Sequence, residues 1–408
     1  MTSALTAVGD QIRSFGAADD RVPGPPLPLR RLLVLALAGS FAVLLLVLVD
    51  VDRFGGNPVS LVQPGSDGPS AEVFTRDFPE TELPDGTGHD GQQFYAIARQ
   101  PMHLDEVAPD LDRPRYRLQR PLLPWLAWAV HPGGGGVGLV YGFLLVGLGA
   151  LVVGGMSLGA ISVTLGGRAW PALAFPLLPG GYVCLRISVA DTLSVALALL
   201  AIALALRSRW RGAILAGVLA VLAKEVAVLL FLGFALWRRD RRSAALVAIP
   251  LAAGAAWWAA LHVLLPDGGG RVDEIVAPFL GLARSVQIWF EGDELLGAAA
   301  VVVTMVVAAL VLVKRGWSHP FAPAAAIQLA FVCVLGVNVI GLNLNGPRAT
   351  MALASMIVLM VAVPDPTSNR RSPTESHPTG IVIGDGGPAG DPGRPGAQPP
   401  QHLPRSAP

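Results

Sequence analysis

Residues 207–242 read RSRWRGAILAGVLAVLAKEVAVLLFLGFALWRRDRR. The apolar core of this stretch, residues 213–236, is long enough to cross a lipid bilayer once as a helix. Both of its flanks carry clustered arginines, however, and such clusters mark cytoplasmic loops. Lys224 and Glu225 stand at its midpoint. We therefore favour a re-entrant hairpin, two half-spans that meet at this charged pair, over a single span, because irregular backbone at membrane depth is tolerated where protein surrounds it.

The composition of the chain is that of a polytopic membrane protein. Of its 408 residues, 52% are hydrophobic and 14% are charged, whereas soluble domains carry about 25% charged residues. The first apolar run, residues 32–49, contains no charge and is long enough to span a bilayer, so we expect an uncleaved signal-anchor helix there. The net charge of +1 gives no reason to expect nucleic acid as a partner.

The charges of the loops order the remaining apolar segments, because cytoplasmic loops carry the excess of Lys and Arg. Two arginines before the first span place residues 1–30 in the cytoplasm, and the acidic loop at residues 52–131 then lies outside. With the hairpin, every later loop obeys this rule; with a single span, every later loop would violate it. Residues 31–363 are therefore predicted to form an all-α, polytopic transmembrane helical bundle of about eight spans plus the hairpin. The same topology places three charged residues near the outer face: Asp90, Asp191 and Arg348.

The C-terminal segment has a composition that does not favour folding. Residues 364–408 hold 11 prolines and many Gly, Ser and Asp residues. Such a segment cannot bury enough apolar surface to offset the entropy of ordering the chain. We expect a disordered cytoplasmic tail.

The outer loop contains two segments that are suited to the membrane interface. Residues 88–101 read GHDGQQFYAIARQP, and their apolar residues recur at helical spacing, which predicts a short amphipathic helix on the membrane surface. Residues 121–130 are too short to span, and Trp125 and Trp128 suit the headgroup level. Asp90 belongs to the first segment, where a carboxylate on its own could simply be solvated.

An arginine cluster between these two segments runs against the charge rule for an outer loop. Guanidinium groups match phosphate oxygens, so phosphate binding would explain the cluster. Contact with anionic lipid headgroups is the alternative explanation. The candidates for phosphate binding are Arg115, Arg117 and Arg120.

The charged pair at the centre of the predicted hairpin needs partners. Neighbouring residues on a helix point about 100° apart, so Lys224 and Glu225 cannot neutralise each other. Two explanations are open: these residues could form ion pairs with Asp191 or an arginine, or they could contact a ligand. His89 is adjacent to Asp90 and could position it or contact a phosphate. The histidines show no metal-ligand spacing, and no P-loop or dinucleotide fingerprint is present, so we expect neither a metal nor a cofactor.

Three stretches of the sequence resemble one family of membrane enzymes. DGQQFYAIA (residues 90–98) resembles the loop pattern WDG-x-W/Y-x-x-IA of polytopic mannosyltransferases. RISVADTLSVALALLAIALAL and RSRWRGAILAGVLAVLAKE (residues 186–225) are similar to the acidic residue, span, basic turn and GLA-x-LTKE helix of these enzymes. NGPRATMAL (residues 345–353) is similar to their terminal span, which an arginine opens. Residues 30–363 thus resemble the GT-C superfamily of integral-membrane glycosyltransferases, which use polyprenyl-phosphate sugar donors outside the cytoplasmic membrane.

The resemblance implies a reaction and roles for the candidate residues. Asp90 matches the loop aspartate that acts as general base on the acceptor hydroxyl, in a direct displacement that inverts the anomeric carbon. Cationic groups would stabilise the departing lipid phosphate, and the acceptor would be a lipid or glycan of the cell envelope. The implied substrate- and phosphate-binding residues are His89, Arg115, Arg117, Arg120, Asp191, Lys224, Glu225 and Arg348.

Two other classes of protein remain open on the sequence. A transporter or flippase of lipid-linked precursors would also use broken helices and charges at membrane depth. Such transporters usually contain internal repeats, and this chain shows none. A non-catalytic membrane protein would give no reason to bury Lys224 and Glu225.

Overall fold

The computed structural model describes residues 26–265, 274–292 and 294–364. The described part of the chain is helical and contains no strand, only an isolated bridge between Ile275 and Leu335. The all-α prediction is therefore confirmed. The predicted tail lies outside the described residues, apart from Pro364, and so does most of the predicted N-terminal cytoplasmic segment.

The helices follow each other in this order. The N-terminal half contains α1 (Leu29–Arg53), α2 (Ala71–Asp77), α3 (Asp90–Arg99), α4 (Leu104–Val107), α5 (Pro114–Leu118), α6 (Leu122–Val130), α7 (Val137–Thr164), α8 (Pro171–Ala174), α9 (Pro179–Arg186) and α10 (Asp191–Leu206). The C-terminal half contains α11 (Trp210–Ala223), α12 (Val228–Arg238), α13 (Arg241–Leu264), α14 (Leu280–Glu291), α15 (Leu295–Arg315), α16 (Ala322–Cys333), α17 (Val337–Ile340), α18 (Gly346–Ala349) and α19 (Met351–Ala362). Short 3-10 helices cover Pro58–Val62, Ala108–Asp110 and Glu225–Ala227.

Four of the described helices, α1, α7, α13 and α15, are long and apolar enough to cross a membrane. Their outer faces expose large apolar side chains, among them Val263 (86% exposed), Leu296 (84%) and Val313 (85%). Soluble proteins rarely expose large contiguous apolar patches, so this exterior fits a lipid environment. The count of eight spans remains a prediction, because the other apolar segments form shorter helices, such as α10, α11, α16 and α19, or helices broken at prolines.

The chain reverses its direction in the middle of residues 207–242. Helix α11 ends at Ala223, Lys224 is extended (φ −162°, ψ 126°), and one 3-10 turn leads into α12. The ring of Phe231 lies against Gly217, although each of them is seven residues from Lys224. A helix that continued forward would separate these two residues by about 21 Å. Helices α11 and α12 therefore fold back on each other, which is the geometry of a hairpin.

Helix α13 fixes the direction of both arms of this hairpin. Gly217 of α11 lies beside Leu246 and Pro250, and Val221 lies beside Gly254. These contacts advance together along the two helices, so α11 and α13 are parallel. Helix α12 lies between them in sequence and packs against α13. The end of α12 therefore lies at the same end of the bundle as the start of α11. Both arginine clusters thus lie at one end of the bundle, and Lys224 lies towards the other.

The outer loop is a layer of short helices packed on the bundle. Helix α3 forms at the predicted place, but the prediction of a one-sided surface helix is wrong, because residues 91–98 are all buried. The two glutamines that looked like its polar face bind backbone instead. Gln92 Nε2 donates to the Thr87 carbonyl at 2.6 Å, and Gln93 Oε1 accepts from the Asp112 amide at 3.1 Å. Helix α6 is partly exposed, as an interfacial segment should be.

The start of α3 is held against the bundle by a close backbone contact. A Cβ atom on Gly91 would lie 2.3 Å from the carbonyl oxygen of Ile187 and 2.8 Å from that of Val62. Backbone cannot yield as a flexible side chain can, so only glycine fits there. Because Gly91 follows Asp90, this contact also fixes where the Asp90 carboxylate lies.

We predict that Gly91→Ala lowers the stability of the protein by about 1–3 kcal/mol, because the added methyl group overpacks this contact. The measurement is thermal unfolding of the purified protein in detergent. Gly149→Ala in α7 is the control, since a Cβ atom there meets nothing within 4 Å. Equal midpoints for the two variants would contradict the close approach.

Candidate active site

A cavity of about 320 Å³ lies between the outer loop and the bundle. Apolar side chains of its wall come from α10, α12, α16, α17 and α19. Charged side chains come from α3, the start of α10, the segment around α5, the hairpin turn, residue 274 and α18. Among the described residues, five cations and four carboxylates line it: Arg113, Arg117, Arg120, Lys224, Arg348, Asp90, Asp191, Glu225 and Glu274.

Asp90, the first residue of α3, lies between two guanidinium groups. Its Oδ1 accepts a hydrogen bond from Arg117 Nη1 at 2.7 Å, and its Oδ2 lies 2.8 Å from Arg348 Nη2. Arg117 also forms a two-pronged pair with Asp112, with both contacts at 2.8 Å. The Asp90 carboxylate therefore faces the cavity and is held from both sides.

Arg348 continues this chain of alternating charges into the bundle. Its Nη1 lies 3.6 Å from Asp191 Oδ2, and Asp191 Oδ1 accepts a hydrogen bond from Lys224 Nζ at 2.5 Å. A buried charge is tolerated only when it is paired and hydrogen-bonded. The ion pair with Asp191 thus explains how the charge of Lys224 is tolerated in an apolar segment.

Glu225 has a different partner from its neighbour. Arg120 binds it with two parallel contacts, Nε to Oε2 at 3.0 Å and Nη2 to Oε1 at 2.6 Å. The hydroxyl of Tyr116 accepts a hydrogen bond from Arg120 Nη2 at 3.0 Å and donates to Glu274 Oε2 at 2.7 Å. Three guanidinium groups also lie within 4.1–5.4 Å of the Tyr116 ring centre: those of Arg113, Arg117 and Arg120.

The titration of the outer-loop groups follows from these contacts. Burial raises the pKa of Asp90, but the charges of Arg348 and Arg117 outweigh it and hold the pKa well below 3.8. Burial lowers the pKa of His89, and Arg348 lowers it further. Asp90 is therefore ionised and His89 is neutral at pH 7.

Two of the predicted phosphate-binding residues lie outside the cavity wall. Arg115 donates to the carbonyl of Leu265 at 2.7 and 3.2 Å, at the end of α13. His89 precedes α3 as its N-cap residue, and its backbone amide donates to Gln63. Seven of the predicted residues do meet at the cavity: Asp90, Arg117, Arg120, Asp191, Lys224, Glu225 and Arg348.

Several residues of the site were not predicted. Tyr116 stands between the arginines that surround it, and its helical spacing to Arg113 and Arg120 is a signal that could have identified it. Glu274 gave no such signal, because Arg113 and Tyr116, its partners, are far from it in the sequence. Asp112 gave none because it is five residues from Arg117, its partner, which is not a spacing of neighbours on a helix. Among the described residues, no group of three or more His, Cys, Asp or Glu side chains could hold a metal ion.

Comparisons of the chain with protein-family models, curated proteins and solved structures found no match.

We predict that Lys224→Met costs about 3–5 kcal/mol of stability, because the buried Asp191 carboxylate loses its closest partner. The double variant Lys224→Met/Asp191→Asn should regain most of this loss, since no unpaired buried carboxylate remains. Thermal unfolding of the purified variants in detergent measures both effects. Losses that simply add in the double variant would contradict a direct pair.

Proposed function

We propose that this chain is an integral-membrane glycosyltransferase, which transfers a sugar from a polyprenyl-phosphate donor to a lipid or glycan acceptor of the cell envelope. The observation that carries the proposal is an ionised carboxylate, Asp90, in a cavity of a membrane bundle that also contains several cations. A carboxylate can receive a proton from an attacking hydroxyl, and the cations can stabilise a departing phosphate. The sequence motifs that resemble the GT-C superfamily lie at this same cavity.

The proposed reaction is a single displacement with inversion. The acceptor oxygen forms a bond to the anomeric carbon, while the bond from that carbon to the phosphate oxygen breaks. The lipid phosphate leaves with the bonding electron pair, and the acceptor proton passes to a carboxylate oxygen of Asp90. The low pKa of Asp90 suits a late proton transfer, because the hydroxyl becomes strongly acidic as its oxygen bonds to carbon.

The guanidinium of Arg348 is placed to meet the leaving phosphate. Its Nη2 lies 2.8 Å from Asp90 Oδ2, whereas its Nη1 lies 3.6 Å from Asp191 Oδ2, which is beyond hydrogen-bond distance. A phosphate oxygen could therefore bind to that side without breaking the Asp90 contact. Lys224 lies next along the same row of charges and would share the negative charge that develops on the phosphate.

We further propose that the cavity opens on the outer face of the cytoplasmic membrane. The two arginine clusters of the hairpin lie at the end of α11 and α12 that is away from the cavity, and arginine clusters favour the cytoplasmic side. The 14 residues of α11 rise about 21 Å, which is less than the roughly 30 Å of a bilayer core. The hairpin would then be re-entrant, with its turn near the level of lipid phosphates.

Sugar transfer from radiolabelled polyprenyl-phosphate sugars, in membranes that contain the protein, tests this function. Asp90→Asn keeps the size of the side chain but removes the base, so transfer should fall by about 100-fold or more. Asp85→Asn is the matched control, because Asp85 is an exposed carboxylate of the same loop. Equal transfer by both variants would exclude Asp90 as the base. Absence of transfer by the wild type across several donors would favour a transporter instead.

We predict that Arg117 sets the pH at which kcat/KM falls on the acid side of its pH profile. Because the pKa of Asp90 is held well below 3.8, its protonation should not lower kcat/KM as the pH falls from about 7 to about 5. Arg117→Gln removes one of the charges that lower this pKa, so the pKa should rise and activity should be lost at a higher pH. Arg76→Gln is the control, since Arg76 pairs with Asp77 outside the cavity. An unchanged acid limb in Arg117→Gln would contradict the assignment.

A further inference from the structure

Three amide side chains line the cavity in addition to its charges. Gln328 comes from α16, Asn338 from α17, and Asn345 precedes α18. The mechanism above uses none of them. Gln328 and Asn345 are both buried residues, and each has a polar side-chain group without a hydrogen-bond partner among the described residues.

Gln328 is a buried amide in an apolar helix. Its side chain is only 3% exposed, and it forms no hydrogen bond with any other residue that the structure describes. Most buried polar groups in proteins are paired. Since the amide borders the cavity, a ligand in that cavity could supply the missing partner.

Asn345 presents a single unpaired acceptor. Its Nδ2 donates to the carbonyl oxygen of Asn338 at 2.9 Å, which fixes the orientation of the amide. Its Oδ1 is buried and has no partner among the described residues. A fixed acceptor selects a ligand group that can donate a hydrogen bond.

Asn345 is close to the residue that would bind the phosphate, and Gln328 lines the same cavity. Asn345 precedes Arg348 by three residues around the short helix α18, and side chains at this spacing are neighbours, about 5–6 Å apart. In a glycosyl phosphate, one oxygen atom separates the sugar ring from the phosphorus. A ligand whose phosphate lies on Arg348 would therefore bring its sugar hydroxyls within reach of Asn345.

We propose that Gln328 and Asn345 bind the hydroxyl groups of a sugar ligand, so that the cavity combines a phosphate subsite with a neutral hydroxyl subsite. Hydroxyl groups both donate and accept hydrogen bonds, as an amide requires, whereas a phosphate is matched by the cations. This inference rests on the proposed function and deepens it. Sugar hydroxyls occur in the donor and in a glycan acceptor, and both share this chemistry.

The test is isothermal titration calorimetry of the full chain in phospholipid nanodiscs, with three kinds of probe. Inorganic phosphate reports on the cations, sugar 1-phosphates report on both subsites, and methyl glycosides report on hydroxyls alone. Wild type should bind the best sugar 1-phosphate at least about fivefold more tightly than phosphate, which corresponds to one net hydrogen bond. Gln328→Leu breaks no hydrogen bond within the described protein, and it should remove about fivefold of this preference without changing phosphate binding.

Asn345→Ala is the second variant, and the same loss is expected for it. Gln100→Leu is the control, because Gln100 is a half-buried amide at the end of α3, outside the cavity. A loss for sugar 1-phosphates alone assigns the amides to the donor sugar, and a loss for methyl glycosides alone assigns them to the acceptor. Wild-type affinities in both variants for every sugar probe, or no preference for sugar over phosphate in the wild type, would overturn the inference. Failure of phosphate itself to bind would instead count against the proposed leaving-group site.

Discussion

The position of Arg348 between Asp90 and Asp191 is the interaction on which the rest of the site depends. Asp90 comes from the outer loop, Asp191 from the start of α10, and Arg348 from α18, just before the last described helix, α19. Buried charges must be paired, so this row of charges favours only those arrangements in which the three segments meet at one end of the bundle. The cavity is the space left where they meet. Its location is therefore a consequence of electrostatics as much as of helix packing.

The break in the hairpin serves the same network. Within one continuous helix, Lys224 and Glu225 would point about 100° apart into apolar surroundings. With Lys224 extended and a 3-10 turn after it, Lys224 reaches Asp191 and Glu225 reaches Arg120. Two adjacent charges thus connect α10 to the outer loop across the cavity. The reversal of the chain and the pairing of the charges stabilise each other.

Much of this arrangement could be predicted from loop charges and apolar runs. The arginine clusters indicated that the chain reverses near Lys224, and they placed Asp90 and Arg348 on one side of the bilayer, because a chain that crosses a membrane has only two sides to occupy. The distinction between Arg115 and Arg117 was missed. Arg113, Arg117 and Arg120 follow at helical spacings of four and three, so they share a face, while Arg115 points away from it. A helical prediction for that stretch would have distinguished Arg115 from the three arginines that share a face.

The burial of α3 was missed for a different reason. Its glutamines looked like a solvent-facing stripe, and only the folded loop shows that their amides bind the backbone at Thr87 and Asp112. In the cavity, by contrast, the charged and the neutral polar groups differ in whether they already have partners. Apart from the Arg348 nitrogen that lies 3.6 Å from Asp191, its cations are already bound to carboxylates, so an entering phosphate competes with those carboxylates and gains only the difference. The Gln328 amide and Asn345 Oδ1 have no hydrogen-bond partner among the described residues, so a ligand that binds them displaces no hydrogen bond within the described protein. Discrimination between ligands should therefore depend more on the neutral wall of this cavity than on its charged one.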